Sequence, residues 1–495
     1  MKESYVDLIN IRRQVFAKIA KMAYEGTDLS ALERASFEIL PGEVARYRDS
    51  IFRERAIVVE RLRLTMGLEV RRPSEYHMVS DGISDVDVNE ARLFEPLVNV
   101  ITHACEACPT KAYVVTDNCR KCLAHPCSNV CPVNAITIGK SRAIIDQEKC
   151  IKCGRCKDAC PYSAIVKYER PCAEACGVNA IGSDELGRAK IDHNKCVSCG
   201  RCIVYCPYGA ISDKSQIYQL IKALKSPQRI YAMVAPSFLG QFGPLATPEQ
   251  IFEGIRQLGF TDVIEVSLGA DLTTLHEAKE YLERVPKEIP FMGTSCCNSW
   301  AIMVEKMFPA QYDYISDSAS PMVYTAKYIK EKDPQAKIAF IGPCISKKLE
   351  ALREDVKDFV HFVLTFEELM GMFVAKDVEL SEIEVEKSIQ DASALGRGYA
   401  IAGGVAEAVK KTAQMLDPTR EITVEGASTL HECVKLMMLA KAGKKNGYLL
   451  EGMACPGGCI AGPGTLASVT RVRKAVADFK AQAQYKTPYD NEKIQ

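Results

Sequence analysis

The residues of this chain with the clearest chemical potential are its cysteines. The 495-residue sequence contains 22, of which sixteen lie between Cys105 and Cys206 and six between Cys296 and Cys459. The spacing Cys-x2-Cys-x2-Cys-x3-Cys-Pro starts once at Cys150 and again at Cys196. This spacing is typical of iron–sulfur cubane loops, in which three thiolates bind one cluster and the fourth binds its neighbour. Zinc sites also use Cys-x2-Cys, but they lack the third close cysteine and the Cys-Pro step.

Both motifs belong to a longer internal repeat. The segment Cys131-Pro-Val-Asn-Ala-Ile136 matches Cys176-Gly-Val-Asn-Ala-Ile181, and the two copies are offset by 45 or 46 residues throughout. Self-similarity at a fixed period indicates two copies of one supersecondary unit. The sequence therefore predicts tandem ferredoxin-like modules.

The repeat groups the sixteen cysteines into ligands for four accessory 4Fe-4S clusters. Groups one to four are, in order, Cys119, Cys122, Cys127 and Cys160; Cys131, Cys150, Cys153 and Cys156; Cys176, Cys196, Cys199 and Cys202; and Cys105, Cys108, Cys172 and Cys206. Group four uses Cys105 and Cys108 because the second copy has no leading Cys-x2-Cys of its own. A rival grouping joins the two complete Cys-Pro motifs. His103 is an alternative ligand, although the sixteen cysteines already supply four ligands to each of the four clusters.

Three loops in the C-terminal half carry a second set of cysteines. They are Thr294-Ser-Cys-Cys-Asn-Ser-Trp300, Gly342-Pro-Cys-Ile-Ser-Lys-Lys-Leu-Glu350 and Glu451-Gly-Met-Ala-Cys-Pro-Gly-Gly-Cys-Ile-Ala-Gly462. Cys297, Cys344, Cys455 and Cys459 suffice to hold one more cubane, and the paired glycines let the backbone pass close to inorganic atoms. Cys433 lies outside these loops and is predicted to be a small buried hydrophobe on a helix.

The elements that must position these loops predict an α+β multidomain fold. The expected domains are a helical N-terminal domain (1–95), a ferredoxin-like domain (96–222), a C-terminal α/β domain (223–475) and a loose polar tail (476–495). Short strands are predicted at 230–235, 263–266, 289–292, 337–341, 359–364 and 448–450, separated by helices such as 248–258 and 366–374. Such alternation predicts two parallel-sheet lobes with functional residues in loops at the strand ends.

Composition limits the remaining classes of function. The 63 lysines and arginines balance 63 aspartates and glutamates, so charge gives no reason to expect a nucleic acid or a membrane surface as partner. No apolar run of about 18 residues and no signal peptide is evident. A cysteine-rich enzyme without a signal peptide is expected in a reducing compartment, which predicts a soluble cytoplasmic protein.

The three C-terminal loops resemble, in order, the three signature loops of the iron-only (FeFe) hydrogenases. The segments Ala210-Ile-Ser-Asp-Lys-Ser215 and Ala235-Pro-Ser237 are also similar to that family, and the resemblance covers roughly residues 100–475. It departs from the usual pattern at Asn298, Gly342, Met322 and Pro463, which resemble the group B branch.

The resemblance implies a role for each loop residue. Cys297, Cys344, Cys455 and Cys459 would ligate the cubane of an H-cluster, and Cys459 would bridge it to a di-iron subsite with CO, cyanide and dithiolate ligands. Cys296, Glu277, Ser316 and Glu280 would form the proton path. Lys347 would donate to one cyanide, and Ser237 with the Pro236 region would hold the other. Glu350 would brace the second loop. Met453 matches the methionine of the family's third loop. Without the resemblance, Glu277 and Glu280 would be assigned to a solvated helix face.

The expected function is reversible reduction of two protons by two electrons to dihydrogen. Ferredoxin or a similar carrier would supply electrons, and dedicated maturation proteins would insert the di-iron subsite. One alternative is a hydrogenase-like electron-transfer or assembly protein without that subsite. Such relatives lose the relay cysteine and the lysine, whereas this chain has Cys296 and Lys347. Another alternative is a hydrogen sensor, which usually carries an appended signalling domain.

Overall fold

The computed structural model describes residues 6–71, 74, 76–83, 93–110, 112–385 and 388–494. Among its described helices, none is both long and apolar enough to cross a membrane. The N-terminal helices are α1 (Val6–Glu25), α2 (Leu32–Ile39) and α3 (Ile51–Thr65). Ser50 caps α3 by accepting a hydrogen bond from the Phe52 amide, which satisfies one of the free N–H groups at a helix start.

The cysteine-rich region consists of short strands and single-turn helices. They are β1 (Val98–Val100), β2 (Ala112–Val115), α4 (Pro126–Asn129), β3 (Ile136–Ile138), β4 (Ala143–Ile145), α5 (Arg155–Asp158), β5 (Ile165–Tyr168), α6 (Pro171–Glu174), β6 (Ile181–Ser183), β7 (Ala189–Ile191), α7 (Arg201–Tyr205) and β8 (Ile211–Asp213). The β3–β4 hairpin of the first copy corresponds to the β6–β7 hairpin of the second.

Strand pairing shows how the two copies are connected. Strand β2 pairs with β5 around the first copy, and β1 pairs with β8 around the second. The first copy is therefore inserted between the leading strand of the second copy and its remainder. We call residues 112–168 the outer module, and residues 98–108 together with 171–213 the inner module. The insertion explains why the leading Cys-x2-Cys of the inner module precedes the outer module in sequence.

The C-terminal region has two parallel sheets. Its strands are β9 (Ile230–Val234), β10 (Asp262–Glu265), β11 (Met292–Gly293), β12 (Lys337–Gly342), β13 (Phe362–Thr365), β14 (Thr423–Ser428) and β15 (Tyr448–Met453). One sheet has the order β10-β9-β12-β13 and the other β11-β15-β14, with every neighbouring pair parallel. The prediction of two parallel sheets is therefore confirmed.

Helices surround these sheets. They are α8 (Ile217–Leu224), α9 (Pro248–Gln257), α10 (Val266–Arg284), α11 (Asn298–Met307), α12 (Pro321–Lys332), α13 (Ser346–Glu350), α14 (Phe366–Ala375), α15 (Ala394–Arg397), α16 (Gly404–Leu416), α17 (Leu430–Lys441) and α18 (Val469–Ala481). The N-terminal helices pack onto this region: Val15 and Ile19 share one core with Phe366 and Leu369. At Gly371 of α14 an added Cβ would lie 2.7 Å from Phe16 Cβ, so α1 approaches α14 closely.

The end of the chain is packed and not loose. Helix α18 continues through the expected boundary at residue 475. Asn491 is fully buried, and its side-chain amide donates to Asp271 Oδ2 at 2.9 Å and to the Asp391 carbonyl at 3.1 Å. The prediction of a loose tail is therefore wrong, because these polar groups make buried hydrogen bonds instead of facing solvent.

Candidate active site

The four cysteines of the C-terminal loops lie between the two parallel sheets. Cys297 precedes α11 just after β11, Cys344 lies between β12 and α13, and Cys455 and Cys459 follow β15. Because β12 belongs to one sheet and the other two strands to the second, the loops meet where the carboxyl ends of both sheets converge. Such strand ends are the usual location of sites in parallel α/β folds.

These thiols share one closed environment. Burial and, after it, the Cys297 thiol raise the pKa of Cys344 to about 11. Burial and, after it, the thiols of Cys344 and Cys297 raise the pKa of Cys459 to about 12. All four cysteines are free of disulfide bonds. Buried thiols that oppose one another's ionisation form a set whose thiolates a cationic metal cluster would stabilise.

Cys296 stands next to this set and faces two carboxylates. Burial raises the pKa of the Cys296 thiol, and Glu277 is the largest electrostatic contributor to that increase. Glu277 Oε1 accepts hydrogen bonds from Ser295 N at 2.7 Å and Ser295 Oγ at 2.9 Å. Its second oxygen is buried and has no hydrogen-bond partner among the described residues. Burial raises the pKa of Glu277 to about 7, so this carboxyl group exchanges protons near neutrality.

A second polar cluster surrounds Glu280, one helical turn from Glu277 on α10. Ser316 Oγ donates to Glu280 Oε2 at 2.5 Å, and Arg284 forms an ion pair with the other Glu280 oxygen. Just outside, His276 Nε2 lies 3.0 Å from Asp317 Oδ1, and both side chains are exposed. The interpretation of the two glutamates as a solvated helix face is wrong, since Glu277 is 0% and Glu280 7% exposed.

Lys347 and Glu350 form a buried pair on the other side of Cys296. Lys347 Nζ donates to the Cys296 carbonyl at 3.2 Å and to Glu350 Oε2 at 2.5 Å. Ser320 Oγ donates to the other Glu350 oxygen. Burial lowers the pKa of Lys347, but Glu350 and the thiols of Cys344 and Cys296 raise it by more, so the net shift is upward. The lysine is thus held as a cation beside the thiols.

Buried polar atoms without partners test whether this space suits an anionic ligand group. Ser237 Oγ and Thr294 Oγ1 are buried and have no hydrogen-bond partner among the described residues, although burying an unpaired hydroxyl is costly. Met453 is buried nearby, in the core cluster that Cys296 and Cys297 contact. Together with the Lys347 ammonium, the hydroxyl donors and the four thiols fit an iron–sulfur cluster with an anionic ligand group.

Asn298 joins the loops of Cys297 and Cys344 to the inner module. Its side-chain amide donates to the carbonyl and to Oγ of Ser346, each at 3.0 Å. Ser346 Oγ and Ser299 Oγ in turn donate to the Val197 carbonyl at 3.3 and 3.2 Å. Val197 lies in the group-three loop, between Cys196 and Cys199. The loops of Cys297 and Cys344 are therefore bound directly to the loop of group three.

The remaining cysteines are neighbours in the groups that the repeat predicted. Groups two, three and four each line one small cavity. In group one, burial and then the thiols of Cys160 and Cys122 raise the pKa of Cys127, and Cys119 packs in the same cluster. The rival grouping of the two Cys-Pro motifs is wrong, because Cys206 lines a cavity with Cys105, Cys108 and Cys172. His103 is exposed and does not line that cavity.

Comparison with known families agrees with this geometry. The family model "Iron only hydrogenase large subunit, C-terminal domain" matches residues 228–463. The models "4Fe-4S binding domain" and "LdpA Fe-S cluster-binding domain" match residues 143–166 and 166–217. The first match contains all three cysteine loops between the sheets, and the other two fall on the tandem modules.

The chain is an iron–sulfur protein similar to the FeFe hydrogenases.

Relatives of this hydrogenase-like protein include hydrogenases and a cluster assembly factor. Iron hydrogenase 1 of Clostridium pasteurianum is 29% identical over 373 residues, which are 65% of this chain and 64% of that protein. The periplasmic Fe hydrogenase large subunit of Nitratidesulfovibrio vulgaris is 29% identical over 364 residues, 65% of this chain and 85% of that protein. The cytosolic Fe-S cluster assembly factor NAR1 of Candida dubliniensis is 30% identical over 158 residues, 28% of this chain and 27% of that protein.

Several residues of the hydrogenase-like site were not predicted from the sequence. Arg284, His276 and Asp317 complete the outer end of the carboxylate path. His276 and Glu280 are four residues apart on α10, a spacing that places them on one helix face and that would have identified the histidine. Glu451 is buried and accepts from the amides of Gly403 and Ala406 at 2.6 and 2.7 Å, so it anchors the start of α16.

Proposed function

We propose that this protein is a catalytic FeFe hydrogenase, which interconverts two protons, two electrons and dihydrogen at an H-cluster. The observation that carries the proposal is a set of neighbouring acid–base groups beside the thiol pocket. Glu277 raises the pKa of Cys296, and Glu280 in turn raises that of Glu277. Ser316 donates to Glu280, whose carboxylate lies within 4.8 Å of the exposed His276–Asp317 pair. A protein that only transfers electrons or assembles clusters has no use for an acid–base path beside a cluster site. The same path suits an enzyme whose substrate is the proton.

Cys297, Cys344, Cys455 and Cys459 would hold the cubane of the H-cluster, with Cys459 as the bridge to the di-iron subsite. When bound, the cluster supplies the metal on which dihydrogen is formed or split. Lys347 and Ser237 would donate to its cyanide ligands, and the Ser237 hydroxyl lacks another partner among the described residues. Charged and hydroxyl donors stabilise anionic ligands in a buried site.

Protons would reach Cys296 through the residues of the path. His276 and Asp317 collect protons at the surface, Glu280 and Ser316 exchange them, and Glu277 passes them to the Cys296 thiol. Glu277 is suited to this step because burial raises its pKa to about 7, which makes donation and acceptance similarly easy near neutrality. In dihydrogen formation two protons move inward for every two electrons; in oxidation both flows reverse.

The four accessory groups would each bind a 4Fe-4S cluster and conduct the two electrons one at a time. Group three is connected to the catalytic loops through Val197, so it would be the last cluster before the active site. A ferredoxin-type carrier would supply or remove electrons at the other end. Low-potential cubanes of the ferredoxin type suit the hydrogen couple.

The decisive experiment replaces Glu277 by Gln in anaerobically matured protein. Without an ionisable group at this position, we expect activity to fall by about 10²–10³-fold, while CO and cyanide infrared bands and iron content stay unchanged. The matched control is Glu283→Gln, because Glu283 is an exposed glutamate on the same helix. Full activity of the Glu277→Gln variant, or absence of CO and cyanide bands after competent maturation with intact cubanes, would refute a catalytic hydrogenase.

The pH profile gives an independent test of the same residue. Glu277 must be protonated to deliver a proton and ionised to accept one. Because burial raises its pKa to about 7, proton reduction should decline as pH rises through that value, and dihydrogen oxidation should decline as pH falls through it. Cys296, Glu280, Glu451, Tyr324 and Tyr399 are other titratable groups that interact with it. Glu277→Asp should retain part of this profile, and Glu277→Gln should lose it.

The second candidate function is a hydrogenase-like assembly or electron-transfer protein. The 30% identity to a cluster assembly factor over 158 residues favours this alternative. It predicts that Cys296→Ala and Glu277→Gln leave the biological activity intact, whereas loss of any cubane ligand abolishes it. The hydrogenase proposal predicts instead that Cys296→Ala and Glu277→Gln lower turnover by about 10²-fold or more.

A further inference from the structure

The outer module is a basic region in a neutral chain. Residues 112–168 contain nine lysines and arginines but four aspartates and glutamates, whereas the whole chain has 63 of each sign. Arg142 pairs with Asp117, and Lys149 lies 3.8 Å from Asp146. Lys167 pairs with Glu169 and Glu174. The other six basic residues are exposed and form no ion pair with the described residues: Arg120, Lys121, Lys140, Lys152, Arg155 and Lys157. The excess positive charge is therefore open to solvent.

One face of this module also exposes a cluster site. The structure describes all 22 cysteines, and Cys153 is the only exposed one; the others are half-buried or buried. Ile151, beside it, is 60% exposed. Ile151 and Val133 line the same small cavity as the cysteines of group two. We call Val133, Lys149, Ile151, Lys152 and Cys153 the group-two face. It combines an apolar tip, two lysines and an accessible cluster loop.

The inner module shows what the equivalent loop does. Val197, Ser198 and Cys199 occupy the positions of Ile151, Lys152 and Cys153, one repeat later. There the loop is covered: Ser299 and Ser346 from the catalytic region donate to the Val197 carbonyl, and Lys306 Nζ donates to the Cys196 carbonyl at 2.7 Å. In the inner module this loop thus faces the C-terminal region, which would receive the electrons under the proposed function. In the outer module the same loop has no such cover among the described residues.

We propose that the group-two face is the docking site for an acidic one-electron carrier protein, an inference that rests on the proposed hydrogenase function. Each encounter oxidises one reduced carrier and reduces the group-two cluster by one electron. Two successive encounters supply the two electrons that, with two protons, give one dihydrogen. The partner must be acidic, since lysines on a docking rim attract negative surfaces and accelerate encounter. The apolar tip of Ile151 and Val133 would fill the contact centre.

The test compares carrier-driven and dye-driven reduction in the matured holoenzyme. The probes are a reduced acidic plant-type ferredoxin and reduced methyl viologen, a small cation. For Lys149→Glu/Lys152→Glu we expect the KM for ferredoxin to rise about tenfold and its salt dependence to flatten. Turnover with methyl viologen should stay within about twofold, because a small dye does not need the lysine rim.

The matched control reverses charge on the inner module. Lys195 is the repeat equivalent of Lys149 and has the equivalent ion pair, with Asp192 in place of Asp146. Lys195→Glu combined with Lys190→Glu, another exposed lysine, should leave the ferredoxin KM unchanged. An equal effect of this control would overturn the proposal. Arg120 and Lys121 lie beside group one. If Arg120→Glu/Lys121→Glu raised the ferredoxin KM more than Lys149→Glu/Lys152→Glu, the docking site would lie at group one and the proposal would be wrong.

A second measurement separates this proposal from the proposed catalysis. Stopped-flow bleaching of the accessory clusters by reduced ferredoxin measures docking and electron transfer without dihydrogen turnover. The Lys149→Glu/Lys152→Glu variant should slow the second-order phase about tenfold, with full iron content. If the variant slows bleaching but neither it nor the unaltered protein evolves hydrogen, the docking proposal is supported and the hydrogenase proposal is refuted. Unchanged bleaching in a folded, cluster-replete variant rejects the group-two face.

Discussion

The outer and inner modules share a backbone but differ in what surrounds them. Lys152 and Ser198, at equivalent positions between ligand cysteines, both have positive φ, 57° and 51°. Asn134 and Asn179 correspond in the same way, with 49° and 50°. Left-handed residues at fixed positions are what a tight cluster loop requires, and asparagine tolerates that conformation better than most side chains. The backbone of these loops is therefore the same in both modules, although their surroundings differ.

The side chains of these loops differ between the modules according to whether the loop is exposed or covered. Ile151 is 60% exposed in the outer module, whereas Val197 is 1% exposed in the inner module. Lys152 faces solvent, and its equivalent Ser198 is buried. Pro132 follows Cys131, shortly before the β3–β4 hairpin, and Gly177 follows Cys176 at the equivalent position before β6–β7. Two copies of one unit have thus become a surface unit and an interface unit through a few substitutions that leave every ligand cysteine in place.

Exchanging the residues after Cys131 and Cys176 should produce the largest effect. A Cβ on Gly177 would lie 2.5 Å from Leu430 Cβ and 2.9 Å from the His431 amide, so α17 leaves no room for a side chain. We expect Gly177→Pro to destabilise the protein by about 3 kcal/mol or more, the upper end for overpacking. Thermal unfolding of the holoprotein, with iron content on the same samples, measures the effect.

The reciprocal change is the control. Pro132 is exposed, so Pro132→Gly meets no neighbour and acts chiefly through the unfolded chain, at a cost of about 0.4–1 kcal/mol. If Pro132→Gly were as harmful as Gly177→Pro, the contrast between a bare and a covered module would be wrong.

A Cys→Ser pair tests the same contrast in electron transfer. Cys199 lies in the covered loop and Cys153 in the exposed one. We expect Cys199→Ser to reduce turnover about 100-fold with every donor, since all electrons would pass group three before the catalytic site. Cys153→Ser should impair ferredoxin-driven turnover but leave methyl viologen turnover within about twofold, because a dye can reduce the inner clusters directly. Electron paramagnetic resonance should show one altered cluster in each variant.

Equal loss of dye-driven turnover in both variants would mean that small donors also need group two. That result would place the two modules in one obligatory series and remove the functional distinction between them.

The sequence predicted the parts of this fold that depend on local chemistry. The cysteine grouping was predicted from the repeat, with Cys105 and Cys108 added as the unclaimed pair, because the spacing of ligands within one loop is fixed by the cluster they hold. Strands such as Ile230–Val234 and Lys337–Gly342 were recognised because they are apolar runs in an alternating pattern. The strand Thr423–Ser428 was missed because it is a partly exposed edge strand with Glu, Gly and Ser, residues of low strand propensity.

What the sequence did not predict depends on contacts between distant segments. Asn491 was assigned to a loose tail, since a polar composition near a terminus contains no signal for its buried bonds to Asp271 and Asp391. His276 was overlooked as an ordinary helix residue because Asp317, its partner, is 41 positions away. The insertion of the outer module into the inner one became visible only from the β1–β8 pairing.

The serines that cover the inner loop should have a smaller effect than its cysteines. Ser299 and Ser346 both donate to the Val197 carbonyl, so each hydroxyl contributes about 1 kcal/mol. We expect Ser299→Ala and Ser346→Ala each to lower stability by about that amount, and the double variant by more than the sum, because the carbonyl then becomes an unsatisfied buried acceptor. A double-mutant cycle on thermal unfolding measures the coupling, and strict additivity would show that the two contacts act independently.

The smallest expected effect concerns one charge at the inner loop. Lys306 is exposed and donates to the Cys196 carbonyl at 2.7 Å, and its charge favours the Cys196 thiolate. Lys306→Met removes this charge, so the group-three cluster should become harder to reduce by about 20 mV, an estimate for one solvent-screened charge. A potentiometric titration followed by electron paramagnetic resonance resolves such a shift, with the outer-module clusters as internal standards. A comparable shift in those clusters would show that Lys306 acts on the whole relay, and no shift in group three would show that solvent screens the contact completely.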